Sequence, residues 1–81
     1  MKTYHLVYED KHWILEAEKP NEEGIDFEYK VTKKWAVSVS VAYCRDKFKE
    51  TGKPVSLRIH KRNGQIQEER SYGRDPSKSK G

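Results

Sequence analysis

The chain has 81 residues and a mass of 9.6 kDa, room for one domain and too little for two. Hydrophobic residues make up 33% and charged residues 37%, with a mean hydropathy of -1.12, so the core is thin and the surface densely charged. No run approaches the roughly 18 apolar residues of a membrane helix, and Met1-Lys2-Thr3 leads into a strand-like segment; the expectation is a soluble, cytoplasmic protein with no membrane contact. Cys44, the single cysteine, excludes an internal disulfide and any multi-cysteine zinc site.

Charge divides along the chain. Residues 1–31 carry eight acids and four bases, a net of −4, and residues 32–81 thirteen bases and five acids, a net of +8. Such asymmetry suits an acidic partner or nucleic acid, and equally a lysine coat that keeps the protein soluble.

Tyr4-His5-Leu6-Val7-Tyr8 and His12-Trp13-Ile14-Leu15-Glu16-Ala17 are β-rich runs joined by the polar turn Glu9-Asp10-Lys11. They predict antiparallel strands near 3–8 and 12–18, with Leu6, Tyr8, Trp13 and Leu15 able to share a face. Lys19-Pro20-Asn21-Glu22-Glu23-Gly24 has the composition of a solvated loop. Ile25, Phe27, Tyr29 and Val31 then alternate with charged residues, predicting a half-buried strand over 25–31.

Residues 33–51 contain neither Pro nor Gly and exceed a normal strand in length, which decides for helix although Val37-Ser38-Val39-Ser40-Val41 alternates. Thr32 is the expected N-cap and Gly52 the C-terminal left-handed residue. Val55, Leu57 and Ile59 alternate again, and Asn63-Gly64 centres a second hairpin with strands near 54–61 and 65–72. A two-residue turn there sets Arg58 opposite Glu69 and His60 opposite Gln67. Residues 74–81 hold nothing apolar and are expected to be a disordered basic tail to a domain spanning 1–73. The fold class is therefore α+β, a small antiparallel sheet in the order β-β-β-α-β-β with one helix on one face.

The run Ile59-His60-Lys61-Arg62-Asn63-Gly64-Gln65-Ile66-Gln67-Glu68-Glu69-Arg70-Ser71-Tyr72-Gly73-Arg74-Asp75-Pro76 resembles a family of short bacterial and phage proteins catalogued as a domain of unknown function. Tyr4-His5-Leu6-Val7, Trp13 and the Thr32-Lys33 helix start are similar to other parts of it. The resemblance implies the same order of elements and carries no established activity. Trp35 and Val39 stand where that family has small or acidic residues.

Two stripes follow from the helical period. Val37, Val41, Cys44 and Phe48 form one; Trp35, Val39, Ala42 and Tyr43 form another, roughly opposite. A single sheet covers only one, so the second is the candidate protein-binding surface, or a homodimer contact. The competing arrangement has Tyr43 in the core, Trp35 over the sheet edge and Val39 alone exposed. Arg58, Lys61, Arg62, Arg70 and Arg74 form the alternative, a nucleic-acid-contacting set on the last hairpin, though Glu68 and Glu69 interrupt it. His5, His12, His60 and Cys44 show no paired metal-ligand spacing; His5 and His12 could approach across the first hairpin, where two imidazoles on a wet face are most often bystanders. No phosphate loop or nucleophile elbow is present, so no catalytic residue, metal or cofactor is expected. The sequence points to a small non-enzymatic regulatory or inhibitory protein that docks on a protein partner as a monomer or weak homodimer.

Overall fold

A computed structural model describes residues 2–19 and 22–73. The expected disordered tail, and with it Arg74, lies outside the described residues. Five strands and one helix follow in the order β1 (Lys2–Glu9), β2 (His12–Ala17), β3 (Ile25–Asp26), α1 (Lys33–Thr51), β4 (Val55–His60) and β5 (Ile66–Tyr72). The sheet order is β3-β2-β1-β4-β5, and α1 packs on one of its faces.

The first hairpin turns on Asp10 and Lys11, both at positive φ (53° and 68°), the pattern of a two-residue type I′ turn. Its register sets Leu6 opposite Leu15 and Tyr8 opposite Trp13. With Tyr4, Val55, Leu57 and Ile59 these residues build the helix-facing side of the sheet. Leu6, Leu15 and Leu57 are fully buried, each stabilising the fold by about 1.5–3 kcal/mol relative to exposure.

The expected antiparallel sheet is mixed: β4 pairs β1 in parallel, Lys2 beside Val55 through Leu6 beside Ile59. Three up-and-down strands leave the chain at the end of the sheet where β1 finishes, and α1 carries it back. A strand leaving that helix and docking on β1 must run parallel to it.

The strand expected over 25–31 shrinks to Ile25–Asp26. Ile25 lies opposite Leu15 and Asp26 opposite Ile14, and the Phe27 amide donates to the Trp13 carbonyl at 3.0 Å. Beyond that point β2 has only His12 left to offer, so the chain turns at 28–31, where the Val31 amide donates to the Glu28 carbonyl at 3.1 Å. Phe27 stays in the core and Tyr29 is left 69% exposed.

The Thr32 Oγ1 accepts from the Trp35 amide at 3.2 Å, and Gly52 closes α1 at φ 73° with its N–H on the Phe48 carbonyl. The second hairpin has a three-residue loop, Arg62-Asn63-Gly64: the Lys61 amide donates to the Gln65 carbonyl at 2.7 Å and the Gly64 amide to the Lys61 carbonyl at 2.9 Å. Gly64 sits at φ 95°. Arg58 lies opposite Glu69 as expected, but an irregularity between Ile59 and His60 places His60 opposite Ile66 rather than Gln67. The longer loop absorbs one residue and forces the bulge.

Candidate functional site

Residues four apart on α1, Ala36, Ser40 and Cys44, are the ones wholly buried against the sheet. This ridge runs between the two expected stripes, which become its flanks. Val37, Val41 and Phe48 line one side, Val39 and Tyr43 the other, all partly buried. Small side chains let the helix axis approach the sheet closely, so larger neighbours on both flanks reach down to it. Two opposed stripes with one left wholly bare is therefore not what forms.

The candidate docking residues divide accordingly. Tyr43 turns inward: its ring meets the Tyr4 ring edge-on at 5.5 Å and 87°, and its hydroxyl donates to the Glu23 carbonyl at 3.3 Å. Val39 is half-buried against the core, whereas Ala42 is exposed. Trp35 is 61% exposed, on the flank away from the buried ridge. Neither expected arrangement describes this fully: Tyr43 joins the core, and Trp35 and Ala42, not Val39, are the residues in water.

Most of the basic hairpin set is engaged within the domain. Arg58 Nε lies 3.3 Å from Glu69 Oε2, which also accepts from the Ser56 hydroxyl at 2.8 Å. Arg70 Nε donates to Glu68 Oε2 at 2.6 Å, and that bond is the largest cause raising the Arg70 pKa. The Arg62 guanidinium lies 4.6 Å over the Tyr8 ring, a cation–π contact that fastens the loop to β1. Lys61 projects into water. Between α1 and β5 runs an open groove of about 550 Å³, floored by Val37, Val41 and Ile59 and rimmed by Lys33, Lys34 and Arg70.

The face of the sheet opposite α1 carries the histidines. His5 and His12 do not meet across the first hairpin, because Cα register places His5 beside Glu16 and His12 beside Glu9. His5 Nδ1 instead lies 2.8 Å from His60 Nε2 on the parallel neighbour β4. His5 Nε2 is 2.9 Å from Glu18 Oε1, and His60 Nδ1 is 2.9 Å from the Gly64 carbonyl. Donation from His5 is the largest cause holding the Glu18 carboxyl below its ordinary value. His12 makes its own pair of contacts, Nδ1 to the Asp10 carbonyl at 2.9 Å and Nε2 to Asp26 Oδ1 at 2.8 Å. Its pKa is raised, chiefly by the Asp10 carbonyl and further by Asp26, against partial desolvation. Alternation from buried Leu6 and Ile59 put His5 and His60 on one face in the sequence; their adjacency needed the β1–β4 register.

Cys44 is fully buried, and burial pushes its thiol up to about 12, which suits a small core side chain and not a nucleophile. No group of three or more His, Cys, Asp or Glu among the described residues is placed to hold a metal ion. No helix among them is long and apolar enough to cross a membrane.

A family model described as "Uncharacterized protein conserved in bacteria (DUF2188)" matches residues 4–72. The chain belongs to this family. The match runs from the first buried residue of β1 to the last residue of β5, and so takes in every strand and the helix. Gly73-Arg74-Asp75-Pro76, part of the run on which the resemblance was drawn, falls beyond it. No curated protein and no solved structure matches the chain.

Proposed function

We propose that this DUF2188 domain is a small non-enzymatic regulatory or inhibitory protein, acting in the cytoplasm in a bacterial or phage setting, that docks on a protein partner through the outer flank of α1. Trp35 is the anchor, Ala42 lies one face-width along the same flank, and Val39 forms its inner margin. The observation that carries this reading is the Trp35 indole, 61% exposed on a helix whose sheet contacts run through Ala36, Ser40 and Cys44. An exposed tryptophan combines large apolar area with few rotatable bonds, the combination enriched in binding hot spots. The nucleic-acid reading draws less support, since Arg58 and Arg70 pair with carboxylates and Arg62 lies over Tyr8.

Affinity capture from a bacterial lysate with wild type, Trp35→Ala and Ala42→Arg tests the proposal. The expected result is a partner protein retained by wild type and weakened about 30-fold or more by Trp35→Ala, the size of a hot-spot loss. Retention should change little between low and high salt. Equal capture by all three proteins overturns the proposal. Retention of nucleic acid that weakens steeply with salt favours the basic hairpin instead. Concentration-dependent sedimentation of wild type, abolished in Trp35→Ala, identifies the partner as a second copy.

A further inference from the structure

We propose that His5 and His60 form a one-proton clasp on the open face of the sheet, closed only while the pair holds exactly a single proton between His5 Nδ1 and His60 Nε2. The argument is one of donors and acceptors. The Gly64 carbonyl can only accept, so His60 Nδ1 must carry a hydrogen. A carboxylate accepts and cannot donate, so His5 Nε2, 2.9 Å from Glu18 Oε1, must carry one too. With both outer nitrogens committed, the inner nitrogens face each other at 2.8 Å, a hydrogen-bond distance. If both rings are neutral, two lone pairs point at each other. If both are cations, two N–H groups do. Only the monocation places a donor against an acceptor.

The surroundings on this face carry both signs of charge. On β2, Glu16 stands across from His5 and Glu18 lies just past the strand end. On β4, Arg58 is the Cα neighbour of His5; its guanidinium pairs with Glu69 on β5 and also acts on the Glu18 carboxyl. Lys61 follows His60 in the chain and projects into water, and the Arg62 guanidinium lies over Tyr8, on the other side of the sheet. α1 occupies the other face and contributes nothing to this one.

Closed, the clasp forms a continuous chain from Glu18 through His5 and His60 to Gly64, tying the end of β2 to the β4–β5 loop. A proton lost or gained breaks its middle link. The loop is thereby tightened over a band of pH and released on either side of it, independently of the α1 flank.

Solution NMR across roughly pH 4 to 9, the range in which imidazoles titrate, tests this. Nitrogen-15 imidazole spectra should show His5 Nε2 and His60 Nδ1 protonated within the band, with one proton shared between the inner nitrogens. Protection of the Gly64 amide, which donates to the Lys61 carbonyl, taken as its exchange rate relative to the intrinsic rate at the same pH, should be greatest inside the band and fall about ten-fold on both sides. In His5→Gln the amide donates to a neutral His60 ring without an extra proton, so the alkaline loss of protection should vanish. His60→Gln is the reciprocal variant and should also lose the alkaline limb. Two rings that titrate separately, or a Gly64 protection profile identical in wild type and both variants, would overturn the clasp.

Discussion

The Ser40 hydroxyl is fully buried against the sheet and has no hydrogen-bond partner among the described residues. A helix-interior serine also has lower helix propensity than alanine. Ser40→Ala is therefore expected to raise stability by about 1 kcal/mol, read as a higher urea midpoint at unchanged slope. His12 supplies a pH prediction at the same scale. Its folded pKa is raised from 6.5, so its contribution is fully present below that value and is lost as pH rises through the raised one. Unfolding measured along the pH axis should show this fall in wild type, and its difference from His12→Gln isolates it from the His5–His60 pair. The buried ridge was illegible in sequence for the same reason Ser40 matters: a period-based reading weights large apolar residues, whereas this contact is made by Ala36, Ser40 and Cys44.

Among the elements, β3 depends on a single close approach. A Cβ built on Gly24 lies 1.9 Å from the Leu15 carbonyl oxygen, a backbone atom that cannot swing away. Gly24→Ala should push Ile25–Asp26 off β2 and cost about 2 kcal/mol or more in denaturant unfolding, with loss of amide protection at Phe27, whose N–H bonds to Trp13. The alternation of Ile25, Phe27, Tyr29 and Val31 correctly marked which residue goes inward at Phe27. It said nothing of how much partner strand remained. The helix was more legible, because Thr32 and Gly52 act through their own local backbone and hold the ends within a residue of where sequence placed them.

For the whole molecule, the apolar side chains of the sheet's inner face and the buried ridge of α1 form one thin core, and Trp35 stands outside it. The proposed docking variant is accordingly expected to leave stability within about 0.5 kcal/mol of wild type by urea titration, as exposed substitutions do. A larger loss would mean the indole supports the fold and would remove the basis of the capture experiment. The uneven distribution of charge along the chain does not survive as separate poles on the last hairpin. There Glu68 and Glu69 meet Arg70 and Arg58 directly.

Sequence by itself determined the local features: the number and order of elements, the helix caps, where the chain turns and the inward parity of β1, β2 and β4. Those depend on neighbours within a few residues, where the period of two or 3.6 and the preferences of Gly, Asn and Thr act directly. The tertiary structure alone decided which strands became neighbours. By seating β4 parallel to β1 it brought His5 to His60, 55 positions apart, and it set which side of α1 met the sheet. Neither choice is encoded in any short segment, because each is settled by the fit of whole faces and by the direction in which the helix returns the chain.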